Sequence, residues 1–109
     1  MIKQKLIPRV DIVEWSSANG MDVTINERPH VAEGTHGRLY ATIPVEIKGD
    51  GVLTSTFGNG RTPDEAIENL AVELSNKTLV CDAYTDRRIE FGPFVFSYYK
   101  QREMPKETK

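Results

Sequence analysis

From Gly58 to Leu74 the chain reads GNGRTPDEAIENLAVEL, and this stretch most constrains the fold. Thr62 is in the N-cap position of a helix, Pro63 at its first turn, and Glu65 completes a capping box. Asp64 and Glu65 also favour the positive end of the helix dipole. Ala66, Ile67, Leu70, Ala71 and Leu74 form one apolar stripe, with Glu68, Asn69 and Glu73 on the solvent side. Asn76 suits the left-handed position that ends a helix, and Lys77 lies near the negative end. A helix with one apolar stripe needs an apolar surface to cover it, and the flanking segments supply strands.

The clearest of these is RLYATIPVEIK, Arg38–Lys48. Leu39, Ala41, Ile43, Val45 and Ile47 share one face in strict alternation. Pro44 lies on the other face and cannot donate to a ladder, so an edge or a bulge is expected there. Gly49–Gly51 turns the chain and Val52–Gly58 returns as a hairpin partner. Upstream, Pro8–Trp15 reads as a first strand, Ser16–Gly20 as a turn, and MDVTIN (Met21–Asn26) as a half-buried strand. Glu27–Gly37 has no periodicity and reads as a long loop, a common location for function. After the helix, Thr78–Tyr84 restarts a strand, Ile89–Phe91 can pair, and Phe94–Lys100 closes the sheet. The expected fold is α+β: a mostly antiparallel sheet of five to seven strands with one amphipathic helix packed on it. At 109 residues the chain has room for one core. Residues 1–100 are expected to form a single domain and the charged 101–109 a disordered tail.

The unit Leu39–Leu74 resembles HicB-like antitoxin domains, through a β-hairpin followed by Gly60, Thr62, Pro63, Glu65, Ala66, Asn69 and Leu74. It covers roughly a third of the chain and implies a ββα core. In size and general character the chain also looks like small phage or prophage accessory proteins, which often act on host proteins by binding.

Composition narrows the partners. Charged residues are 28% and the net charge is −2, so nothing draws the whole chain to nucleic acid or to an anionic membrane. The N-terminal MIKQKLIPRVDIVEW has two lysines but no apolar run before Pro8. Neither a signal peptide nor a membrane span is expected, and the cytoplasm is the expected location. The one cysteine, Cys81, lies between Val80 and Asp82 without a neighbouring histidine. It reads as a structural thiol rather than a nucleophile.

Several groups can carry function. Gly58-Asn59-Gly60 with Arg61 could cradle an anion at the helix start, but turn and cap is the plainer reading. His30 and His36, with Glu27 and Glu33, have metal-ligand chemistry but match no zinc spacing, so no metal and no cofactor is expected. Glu65, Glu68 and Glu73 make the exposed helix face acidic. This face suits a basic protein partner, with Trp15 and Tyr40 as aromatic anchors if they are exposed. Arg87, Arg88, Lys100 and Arg102 with Tyr99 offer a basic-aromatic alternative for nucleic acid. The function expected is a non-catalytic protein-binding module of phage-accessory or inhibitor type, with a homodimer through a sheet edge near Pro44 or the final strand as a further option.

Overall fold

The computed structural model describes residues 8–99. In chain order the elements are β1 (Arg9–Asp11), α1 (Ile12–Ala18), β2 (Thr24–Glu27), β3 (Leu39–Thr42), β4 (Glu46–Lys48), β5 (Leu53–Thr54), β6 (Gly58–Gly60), α2 (Pro63–Leu74), β7 (Leu79–Cys81), β8 (Ile89–Phe91) and β9 (Val95–Ser97). The α+β class and the mostly antiparallel pairing are as expected. The single sheet with one helix is not. The described strands divide among three sheets, ordered β1-β9, β2-β3-β6 and β5-β4-β7-β8, and the described residues form two helices.

Pro44 accounts for one division. The alternation of Arg38–Lys48 is real, and Ala41, Ile43 and Val45 are all buried while Pro44 is exposed. Yet the Val45 N–H folds back onto the Ile43 carbonyl at 2.8 Å, and the ladder breaks around the proline. On one side Ile47 pairs with Thr54; on the other Ala41 pairs with Gly58. The hairpin therefore persists as a reading of the chain path, but its register slips by two residues around Pro44, and its halves lie in different sheets.

Asp11 accounts for the second helix. The expected strand Pro8–Trp15 stops at Asp11, whose Oδ1 accepts from the N–H groups of Val13 (2.9 Å) and Glu14 (3.1 Å). An aspartate N-cap with Glu14 three residues on is the same capping signature as Thr62 with Glu65. Ser16 and Ser17, expected in a turn, are helical; Asn19 and Gly20 form the turn that follows.

α2 forms as its pattern dictates. Thr62 Oγ1 accepts from Glu65 N–H at 3.1 Å, Pro63 opens the first turn, and Asn76 has φ 64° after its end. Its five apolar-stripe residues are buried. They pack on β3, β6 and β9, with Ile12, Trp15, Ile43, Leu79 and Phe96 completing the core. Contact with β6 is close enough that a side chain at Gly58 would overlap the backbone of Leu70 and Ala66. One at Gly60 would overlap Ala66. GNG is thus a strand that a helix lies directly upon, and glycine is needed for that approach.

The final strand does not close the main sheet. β9 runs parallel to β1, pairing Val10 with Phe96. Its other edge is covered by the end of α2: Phe96 N–H donates to Ser75 Oγ (2.9 Å) and Asn76 N–H to the Phe94 carbonyl (2.7 Å). Among the described residues no helix is long and apolar enough to cross a membrane.

Candidate functional site

The sheet β2-β3-β6 presents one face to α2 and the other outward. Its register aligns Asn26, Tyr40 and Asn59 across the three strands. Side chains opposite one another in a ladder share a face, so these three point away from the helix that lies on Gly58 and Gly60. Arg28, two residues beyond Asn26, folds over this row. Its guanidinium carbon stands 4.2 Å from the centre of the Tyr40 ring and 5.3 Å from that of Phe57. The two rings meet edge to face at 5.7 Å. Nη1 of Arg28 donates to the Gly37 carbonyl (2.7 Å) and to Asn59 Oδ1 (2.8 Å). The arginine is thereby held in place by groups of the chain itself.

Beside this stack a cleft of about 250 Å³ opens where β6 meets α2, lined by His36, Phe57, Asn59, Asn69, Val72 and Glu73. Asn69 donates to the Asn59 carbonyl at 2.6 Å, joining the helix to the strand at the cleft floor. Phe57 is 44% exposed and Val72 68% exposed.

The loop Glu27–Gly37 is pinned rather than open. Arg38 Nη1 donates to the Val31 carbonyl (2.6 Å), its Nη2 to Glu27 (3.1 Å), and Glu33 lies 3.9 Å away. His36 instead approaches Glu65, at 3.8 Å. The two histidines and two glutamates of the loop do not converge, and among the described residues no group of three or more His, Cys, Asp or Glu is placed to hold a metal.

At the start of α2 the Glu65 carboxylate accepts from the Arg61 backbone N–H at 2.5 Å. That bond, aided by the nearby Arg61 and His36 charges, holds the Glu65 carboxyl below its ordinary pKa. The helix N-terminus is therefore already served by an anion of the chain itself, which favours turn and cap over an anion cradle.

Of the expected partner-binding residues, Glu68 and Glu73 are exposed on α2, Glu65 is partly covered, and Tyr40 is half-buried under Arg28. Trp15 is the correction. It is only 9% exposed, and its ring packs edge-on against Phe91, Phe94 and Phe96. Its helical placement, one turn after the buried Ile12, turns it into the core.

The described members of the basic-aromatic group lie on different elements. Arg87 and Arg88 precede β8, whereas Tyr99 follows β9, with its N–H on Asp11 Oδ2 at 2.8 Å. Arg88 donates to Glu90 (3.0 Å), which also holds Lys48 (3.2 Å). Asp82 and Asp86 share the same turn. Lys100 and Arg102 lie outside the described residues.

The sequence does not single out Arg28, Phe57 or Val72, and it marks Asn59 only as part of the Gly58–Gly60 turn. Val72 did carry a signal, as an apolar residue off the buried stripe of α2. Comparison with protein-family models, curated proteins and solved structures found no match to the chain.

Proposed function

We propose that this chain is a non-catalytic binding module, an accessory or inhibitor protein that docks a protein partner across the Arg28–Tyr40–Phe57 stack and the adjoining face of α2. The observation that carries this reading is the exposure of Phe57 and Val72 side by side at one cleft, next to an arginine already fixed on an aromatic ring. Aromatic and arginine side chains dominate the energetics of protein interfaces, and pre-ordering lowers the entropic cost of docking. Glu68 and Glu73 form an acidic border that suits a partner with basic residues at its rim. The likeness of residues 39–74 to HicB-like domains supports binding rather than chemistry. So does the Cys81 thiol, which burial holds above the ordinary pKa, the reverse of an activated nucleophile. The nucleic-acid alternative is less well served, because Arg88 and Lys48 are paired to Glu90 and further acids stand beside Arg87.

Affinity capture from a host lysate tests this, comparing wild type with the double variant Phe57→Ala, Val72→Asp and with Arg87→Ala, Arg88→Ala. A stoichiometric protein retained after nuclease treatment, and lost only with the first variant, is the expected result. Recovery of nucleic acid alone, lost with the second, would overturn the reading.

A further inference from the structure

We propose that the free edge of β8 is a self-pairing site, at which two copies of this chain join antiparallel about a twofold axis through Ile89. Among the described residues β8 is the outermost strand of the sheet β5-β4-β7-β8, paired to β7 on one side only. The Arg88 N–H points back into the turn, to the Thr85 carbonyl at 3.3 Å. On the inner side Lys48 N–H donates to the Thr78 carbonyl at 2.9 Å, so Thr78 and Val80 face β4 while Leu79 and Cys81 bond to Phe91 and Ile89; by alternation the N–H and C=O of Glu90 point away from β7, toward solvent. In an antiparallel pairing centred on Ile89 the two Ile89 residues form the non-hydrogen-bonded pair on the axis, and the Glu90 N–H of each copy donates to the Arg88 carbonyl of the other.

The charges fit the same axis. Centring on Ile89 places Arg88 opposite Glu90 of the second copy, and Glu90 opposite its Arg88. Within one chain these two already meet at 3.0 Å, with Lys48 on the second carboxylate oxygen at 3.2 Å. Pairing joins two such groups into a single alternating network. Opposite charges directly across a ladder are favourable and like charges are not. Apolar surface is present on the other face of the strand. Ile89 is 51% exposed, at the rim of a cleft of about 300 Å³ that Met21, Pro44, Cys81 and Phe91 also line.

Other described edges lack this fit: β1 also sets an arginine and an acid two residues apart, but Asp11 is buried and bonded to Val13, Glu14 and Tyr99. The outer edge of β9 is covered by Ser75 and Asn76. The β6 edge carries the Asn69 side chain. β5 has two residues, and within β2 only Glu27 is charged. The paired edge belongs to a different sheet from the docking face proposed above, so the two proposals stand or fall separately.

Light scattering and sedimentation across a concentration series of the full chain test the pairing. Wild type is expected to dimerise. Arg88→Glu sets Glu against Glu across the axis twice, and Glu90→Arg sets Arg against Arg twice. Each variant alone should self-associate roughly tenfold more weakly or worse. An equimolar mixture of the two should recover a 1:1 dimer, because each copy then carries the charges that the other lacks. Circular dichroism confirms that both variants are folded, as expected for exposed side chains. Wild type that stays monomeric to about 1 mM overturns the proposal. Single variants that dimerise as well as wild type, or a mixture that shows no recovery, do the same.

Discussion

Gly58 lies beneath Leu70 with no room for a side chain between them. The strand–helix contact that builds the cleft floor depends on this absence of a Cβ, and the same holds for Gly60 under Ala66. Replacing Gly58 with alanine must push α2 off β6 or bend the strand. Overpacking of this kind costs about 3 kcal/mol, and backbone atoms cannot yield as a flexible side chain can. Gly49→Ala is the control, since its nearest neighbour would be a Val52 carbonyl at an ordinary 3.5 Å. Urea denaturation should show a large loss of stability for Gly58→Ala and a change within about 0.5 kcal/mol for Gly49→Ala.

Trp15 offers a second test, because core and docking roles predict opposite outcomes. As the hub of three edge-on contacts with Phe91, Phe94 and Phe96, Trp15→Ala should cost about 3–5 kcal/mol. Its fluorescence, the only tryptophan signal in the chain, should be blue-shifted and poorly quenched by acrylamide until the protein unfolds. Strong quenching in the native state would contradict its burial.

Acid should loosen the start of α2. The Glu65 carboxyl has its folded pKa below the ordinary 4.5, chiefly through the Arg61 backbone hydrogen bond. A lowered folded value means that this contribution is fully present above pH 4.5 and is lost as pH falls through the folded pKa. Melting curves of wild type and Glu65→Gln should therefore differ near neutrality and converge as pH drops below 4.5. Glu90, lowered by hydrogen bonds from Arg88 and Lys48, should follow the same direction in Glu90→Gln. A difference that widens on acidification would refute the sign.

Cys81 should react sluggishly. Burial raises its pKa above the ordinary 9.0, and the neighbouring Asp82 charge adds to the effect. Less thiolate is then present at any pH below that value. Its alkylation by iodoacetamide should be slower than that of free cysteine and should rise at higher pH. Asp82→Asn should bring the titration partway back toward 9.0.

What could be read from the sequence was what short-range chemistry decides. Thr62, Pro63 and Glu65 announced α2 because capping needs only neighbours. The turn at Gly49–Gly51 was equally local. Asp11 and Glu14 carried the same signature as Thr62 and Glu65, but the run of Val10, Ile12 and Val13 suggested a strand, and so α1 was missed. Pro44 was marked as an edge or a bulge; that its slip would divide one hairpin between two sheets depended on which strands lay alongside. The candidate site shows this dependence most clearly. Tyr40 and Glu73 were named, but Arg28, Tyr40 and Phe57 come together only through the β2-β3-β6 register. No periodicity within a single segment encodes that register.

The parallel pair β1-β9 bears on how the chain reaches this state. Arg9 meets Val95, so the first and last strands of the described chain close a loop containing nearly everything between them. A contact of such sequence separation is entropically expensive until the intervening elements have collapsed, whereas α2 on the hairpin is assembled from neighbours. β1 should therefore dock late, onto a β9 already braced by Ser75 and Asn76. By the same geometry it should be the first strand to detach, a clasp whose release frees Asp11 and α1 while the helix-on-glycine centre remains closed.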